Sequence, residues 1–101
     1  MKIVKKYLRI DPIAGADGYR IYCQAGGVID QETTPNFDVG NMVEGIDLYE
    51  LLGDVEGNYS IGYVGYDNAG NEGGMYIIVE DYPLDFVPPA TGTGGEIYSL
   101  P

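Results

Sequence analysis

At 101 residues the chain has the length of one domain and could bury roughly two-thirds of the surface that its unfolded form exposes, so a second hydrophobic core is excluded. Sixteen glycines, ten tyrosines and few long runs of helix-forming residues favour an all-β domain of short strands. The formal net charge of −11 argues against a nucleic-acid partner, because most of the surface would repel phosphate.

The charges are unevenly distributed along the chain. All five basic residues lie in the first twenty positions, and every charged residue after them is acidic. These bases are Lys2, Lys5, Lys6, Arg9 and Arg20. The distribution is compatible with a simple role in solubility, or with a basic N-terminal strand that meets an acidic surface on a neighbouring subunit. Under the second interpretation, Lys5 and Arg9 are interaction residues.

The side chains that most enzymes and zinc sites need are scarce. The chain has no histidine, so neither a Ser-His nor a Cys-His nucleophile pair can form. A zinc site is excluded because the chain has no histidine and only one cysteine, Cys23. With a single cysteine, no intramolecular disulfide can form. The carboxylates are spread over predicted loops and form no cluster. We therefore predict that the protein is not an enzyme and has no cofactor.

The first predicted strand runs from Ile3 to Ile10, where apolar and polar residues mostly alternate. Pro12 follows the strand and cannot continue its ladder, because proline lacks a backbone amide. Charges are scattered through these residues, and no apolar run has the length of a signal peptide. Nothing in the sequence approaches the length of a membrane span.

The second predicted strand covers Tyr19 to Ala25 and ends at a Gly-Gly pair. Its alternation places Tyr19, Ile21 and Cys23 toward the core and Arg20, Tyr22 and Gln24 toward solvent. Residues 28–45 carry weaker signals, with a short edge strand expected at Asn36 to Val39. Ile46 to Leu52 is predicted as a strand, although the same stretch is compatible with one or two helical turns.

The clearest strand signal begins at Tyr59. Tyr59, Ile61, Tyr63 and Gly65 alternate with Ser60, Gly62, Val64 and Tyr66, the pattern of a central strand with one buried face. The Asp-, Asn- and Gly-rich residues 67–74 then favour a tight turn. A further strand is predicted from Met75 to Tyr82, with Pro83 as its end, which completes a hairpin.

Two stretches of the sequence resemble fibronectin type III domains. The first is Leu8-Arg-Ile-Asp-Pro followed by Gly15-Ala-Asp-Gly-Tyr-Arg-Ile-Tyr, and the second is the Tyr59 strand with its Asp67-to-Asn71 turn. The resemblance implies an immunoglobulin-like β-sandwich of about seven strands over residues 1–82. It also implies that the hydroxyl of Tyr59 bonds to upstream backbone as a tyrosine corner. Ile10 replaces the usual buried Trp, and the family's first strand has no counterpart.

Residues 83–101 are predicted to form an extended tail rich in Pro and Gly. The missing first strand would leave an open sheet edge, and another strand could pair with it. Two segments of the tail are candidates for this pairing: Leu84 to Val87, or the β-prone residues Ile97, Tyr98 and Leu100. The edge could belong to the same molecule or to a neighbour. A tail that merely lies over the surface is the alternative.

If the second strand and the last hairpin share a sheet, Tyr22, Val64 and Tyr66 form an outward apolar stripe. Tyrosine is common at protein interfaces, so we predict that this stripe binds a partner. Burial of the same residues in a core is the alternative.

Calcium is the metal that the loops could accommodate. Asp54, Glu56, Asp67 and Glu72 lie on loops at neighbouring strand ends, where oxygen ligands could gather. The spacing matches no EF-hand, and solvated acidic loops explain the pattern better.

Domains of this kind occur in phage virions and in secreted bacterial proteins. The lack of a signal peptide favours the first context, so the resemblance implies a structural virion protein made in the host cytoplasm. It would decorate a head or associate with a tail, and its partners would be other lattice proteins. The alternative is a carbohydrate- or cell-surface-binding module of a larger exported protein, with Tyr22 and Tyr66 as its aromatic platform.

Overall fold

A computed structural model describes residues 2–100. Met1, the first residue of the predicted domain (residues 1–82), and Pro101, the last residue of the predicted tail (residues 83–101), therefore lie outside it. The chain is all-β, as predicted, with six strands and one short helix in the described residues. In chain order these are β1 (Tyr7–Leu8), β2 (Gly18–Ala25), β3 (Asn36–Gly40), β4 (Ile46–Asp47), α1 (Leu48–Leu52), β5 (Glu56–Tyr66) and β6 (Tyr76–Asp85). The strands form two antiparallel sheets.

The main sheet has the strand order β3-β2-β5-β6. Its centre is the pairing of β2 with β5, which runs without interruption from Gly18 opposite Tyr66 to Ala25 opposite Tyr59. The prediction that the strand after Tyr59 is central is therefore confirmed. The predicted short edge strand is present as β3, and the predicted hairpin is formed by β5 and β6.

The second sheet contains only β1 and β4. The long strand predicted from Ile3 to Ile10 is wrong in extent, because regular pairing is confined to Tyr7 and Leu8. Flanking backbone bonds continue the contact, from the Leu48 amide to the Lys6 carbonyl and from the Ile10 amide to the Val43 carbonyl. In the antiparallel register the residues before Tyr7 would have to pair with those after Asp47, but helix α1 begins there, so the ladder ends.

The strand predicted from Ile46 to Leu52 is also wrong after its first two residues. Asp47 is the N-cap of α1, and its carboxylate accepts hydrogen bonds from the amides of Tyr49 and Glu50. Gly53 ends the helix with φ of 75°, a conformation that glycine adopts at little cost. Local capping therefore overrides the β-propensity of the apolar residues.

One core joins residues from both sheets and from α1. As predicted, it includes Ile10 and the inward residues of β2, with Cys23 as a small buried hydrophobic residue. Burial raises the pKa of the Cys23 thiol to about 12, so the thiol is uncharged at neutral pH. The core residues are Ile10, Tyr19, Ile21, Cys23, Ile46, Leu48, Ile61, Tyr63, Leu84 and Phe86.

Strand β6 does not stop at Pro83 but continues to Asp85. Because β6 is an edge strand, it can contain Pro83, which has no amide to donate. The extension brings Leu84 and, just beyond the strand, Phe86 into the core. The Phe86 amide also donates to the Val55 carbonyl at 2.8 Å. Leu84 to Val87, one of the two segments predicted to pair with a sheet edge, thus adjoins β5 in its own molecule.

Residues 88–100 form no helix or strand, and residues 89–100 are exposed throughout. We call residues 88–100 the extended segment. It gives the molecule a length of 73 Å against cross-sections of 25 and 17 Å. None of the described residues forms a helix with the length and apolar character needed to cross a bilayer.

Candidate functional site

The predicted binding stripe on the main sheet is largely inaccessible. Tyr22 is only 2% exposed and Val64 is fully buried, so the prediction that they face solvent is wrong. Two loops, residues 26–34 and 67–75, cover this face of the sheet. Side chains from both loops, those of Ile29 and Met75, lie over Gly62, which has no Cβ to keep them away. Strand β5 is therefore buried on both faces.

The carboxylate of Glu72 fastens the second of these loops to the sheet. It accepts hydrogen bonds from Arg20 at 2.8 Å, from the Tyr22 hydroxyl at 2.5 Å and from Gln31 at 3.1 Å. Burial by itself would raise the pKa of Glu72, but the bonds from Tyr22, Gln31 and Arg20 outweigh it and hold that pKa below its usual value. Burial and the hydrogen bond to Glu72 raise the pKa of Tyr22 to about 12.

Tyr66, the third residue of the predicted stripe, is partly buried and already engaged. The Arg20 guanidinium lies 4.3 Å from the centroid of its ring, and its hydroxyl donates to Asp38 at 2.9 Å. Arg20 thus connects Tyr66 with Glu72, a network that the sequence analysis missed. The only sequence signal was an isolated arginine at an outward position of β2. These contacts fix the covering loop and leave no free aromatic platform.

The tyrosine corner expected at Tyr59 is not formed. The hydroxyl of Tyr59 makes no hydrogen bond within residues 2–100, whereas Tyr63 donates its hydroxyl hydrogen to the Asp11 carbonyl at 3.0 Å. Tyr19 beside it accepts a bond from the Ile13 amide at 2.8 Å. Two core tyrosines therefore tie the β1–β2 loop to the sheet. This role depends on how the strands pair, which the spacing of residues along the sequence does not show.

The acids considered for calcium are not brought together. Asp67 accepts bonds from the amides of Ala69 and Asn71 within its own turn, and Asp54 accepts from the Tyr49 hydroxyl. Glu72 is held by the network described above. Within residues 2–100, no three acidic, His or Cys side chains form a group that could bind a metal ion. Glu56, the fourth candidate, is an exposed residue at the start of β5.

A groove of about 410 Å³ lies between the β1–β2 loop and the β5–β6 turn. Its lining is mostly small, with Ala16, Gly65 and Gly73 among its residues, and it presents the two carboxylates of Asp67 and Glu72. Both carboxylates already accept hydrogen bonds from the protein. The groove therefore offers no free acid, base or nucleophile.

The basic residues near the N-terminus are partly neutralised within the molecule. Lys5 pairs with Asp47 at 3.1 Å, and Arg9 pairs with Glu44 at 2.7 Å. The Asp47 hydrogen bond and charge raise the pKa of Lys5. Both pairs cross from the β1 region to the β4 region, so Lys5 and Arg9 help to join the small sheet, and their contact with a neighbour stays a prediction.

The outer side of residues 2–8 carries exposed apolar and basic side chains, and Tyr7 and Leu8 within it form strand β1. We call it the N-terminal edge, meaning the outer side of residues 2–8. Val4 is 70% exposed and Tyr7 is 60% exposed. Lys2 and Lys6 have no carboxylate within 4.0 Å in the described part of the chain. Apolar area and unpaired positive charge therefore occur together here.

The extended segment starts beside this edge. Pro88 and Pro89 line a groove of about 190 Å³ together with Lys2, Ile3 and Val4. At the other end of the segment, Tyr98 is 72% and Leu100 is 80% exposed, and Ile97 is completely exposed. The structure thus shows no pairing of these three residues within the molecule. The N-terminal edge and the extended segment are the surfaces best suited to contact another protein.

Comparison with known proteins gives no further guidance, since no family model, curated protein or solved structure matches the chain.

Proposed function

We propose that this protein is a non-enzymatic structural subunit, a phage virion component that decorates a head or associates with a tail and docks on a protein lattice. The observation that carries the proposal is the extended segment. It leaves a well-packed β-domain and exposes three large apolar side chains, Ile97, Tyr98 and Leu100. A monomer gains nothing from exposing them, whereas a contact with another protein would bury them.

We also propose that the domain is an immunoglobulin-like sandwich of the fibronectin type III kind. Strands β2, β5 and β6 share one sheet while β1 and β4 form the other, which corresponds to the separation of strands C, F and G from strands B and E in such sandwiches. Residues from both sheets meet in one core. A rigid domain of this kind suits a lattice subunit, since its shape would not change on docking.

The alternative of a carbohydrate-binding module depends on an exposed aromatic platform at Tyr22 and Tyr66. Tyr22 is buried, and one face of the Tyr66 ring is occupied by Arg20. No observation favours this alternative, and we do not propose it.

The proposal predicts that the protein is present in phage particles and that the extended segment attaches it to them. Particles released from the bacterium that encodes the chain should contain its peptides in mass spectrometry. Purified full-length chain should then sediment with particles that lack it, and a variant that ends at Val87 should stay in the supernatant. Tyr98→Asp, which changes one exposed residue of the segment, should bind more weakly than Thr91→Ser, a control in the same segment. Particles that neither contain nor bind the protein would contradict the proposal.

A further inference from the structure

The two sheets have four edges within the described residues: the outer sides of β3 and β6 in the main sheet and of β1 and β4 in the small sheet. An open edge presents unpaired backbone amides and carbonyls, with which an incoming strand can pair. The extended segment ends in five residues, Glu96 to Leu100, whose apolar side chains are exposed and whose composition suits a strand. The question is which edge it fits.

Three of the edges are poorly suited to it. Asp81 in β6 has φ of 49° at an irregularity in the ladder, and Pro83 removes an amide, so the second half of that edge is bent and interrupted. The exposed side chains of Glu80 and Asp85 also make it acidic. A groove lined by the acids Asp38, Asp47 and Glu50 lies beside both β3 and β4. All three edges would repel Glu96.

The N-terminal edge has the opposite character. The side chains of Lys2 and Lys6 have no carboxylate partner in residues 2–100, whereas Lys5 and Arg9 do. Val4 and Tyr7 add exposed apolar area beside them. A strand with one acid and several apolar residues therefore matches this edge in both charge and hydrophobicity.

We propose that the N-terminal edge binds residues 96–100 of a second copy of this chain. The inference rests on the proposed function and adds to it a contact between neighbouring copies on the lattice, with its donor segment and its acceptor edge. Thirteen residues of extended chain span roughly 40 Å, enough to cross the 25 Å width of a neighbouring molecule. The Pro88-Pro89 pair at the root of the segment favours extended backbone, which directs the segment away from its own domain.

The contact is heterologous, because the segment of one copy binds a different surface on the next. Each copy then has one free donor segment and one free acceptor edge. Such contacts build rings where the rotation between copies closes and filaments where it does not. This geometry suits a subunit of a repeating lattice.

The test uses charge reversal and mixing of the full-length chain. Wild-type protein should show a mass that rises with concentration in sedimentation velocity and falls as salt is added. Lys6→Glu and Glu96→Lys should each weaken association roughly three- to tenfold. An equimolar mixture of the two variants should recover it, since each variant's segment then meets an edge of opposite charge. Glu80→Lys, which changes neither the segment nor the edge, is the matched control and should associate as strongly as wild type.

Recovery in the mixture would also show that the segment pairs with another molecule. A contact within one molecule would not be restored by mixing, because each chain would keep its own altered side chain. A wild-type chain that stays monomeric at all concentrations and salts would overturn this inference. So would an oligomer that neither variant weakens, or a mixture that fails to recover. Particle binding would be unaffected by any of these results, so the proposed function is judged separately. Circular dichroism and urea midpoints of the variants should equal those of wild type, because both side chains are exposed.

Discussion

At the scale of single residues, Glu72 fastens the loop of residues 67–75 to the main sheet. It is the shared acceptor for Arg20, Tyr22 and Gln31. We expect Glu72→Gln to lower the free energy of unfolding by about 1–3 kcal/mol, because a neutral amide weakens two charge-assisted bonds and leaves the buried Tyr22 hydroxyl with a poorer partner. Urea unfolding at pH 7 would measure the loss. The same change at exposed Glu80 is the control and should have no measurable effect.

The effect of Glu72→Gln should also depend on pH. The folded-state pKa of Glu72 lies below its ordinary value, so the charged carboxylate stabilises the folded chain. That contribution is complete above the unfolded-state pKa of roughly 4.3 and disappears as the pH falls through the lower folded-state pKa. The difference in urea midpoint between wild type and variant should therefore be constant from pH 6 to 8 and shrink below about pH 4. A difference that stays constant down to pH 3 would contradict this account.

At the scale of strands and loops, the sequence predicts elements whose patterns are local. Strands β2 and β5 follow from their alternation, and the turn before β6 follows from its glycines and Asp67. Helix α1 was also predictable, since Asp47 and Glu50 have the spacing of a capping box and Gly53 follows at the end. The burial of Tyr22 was not, because it depends on two loops without periodicity. The pairing of Lys5 and Arg9 likewise depends on the β1–β4 register, which no local pattern specifies.

The close covering of β5 leads to a prediction for Gly62. A Cβ at this position would lie 2.8 Å from the Tyr76 carbonyl oxygen and 2.8 Å from the Met75 sulfur. We expect Gly62→Ala to destabilise the fold by about 1–3 kcal/mol, because a backbone atom of β6 must move to admit the methyl group. Urea unfolding followed by circular dichroism would measure it.

Gly74→Ala is the matched control for this prediction. A Cβ there would meet no atom within 4 Å, and the backbone is not in the left-handed region. The control should leave stability unchanged or raise it slightly, since alanine restricts the unfolded chain. Equal effects of the two changes would show that the covering loops do not pack on β5 as described.

At the scale of the whole molecule, folding and association are expected to reside in different parts of the chain. The Cα radius of gyration is 18.5 Å, well above the ~13 Å typical of a compact domain of this length, and the extended segment accounts for the excess. A variant that ends at Val87 should keep the urea midpoint of the full chain, because residues 89–100 are exposed and contribute nothing to the core. Small-angle scattering should show its radius falling to about 12 Å.

A variant that ends at Tyr82 should behave in the opposite way. It would remove Leu84 and Phe86, which are 2% and 1% exposed in the core. Loss of a buried leucine or phenylalanine typically costs about 2–5 kcal/mol each, which together approaches the total stability of a small domain. Circular dichroism should therefore show this variant largely unfolded.

If the variant ending at Tyr82 folds while the variant ending at Val87 does not, the core has been assigned to the wrong residues. If both fold equally well, β6 is dispensable beyond Tyr82. Only the expected pair of results places the end of the folding unit after Phe86 and leaves the extended segment free for a partner.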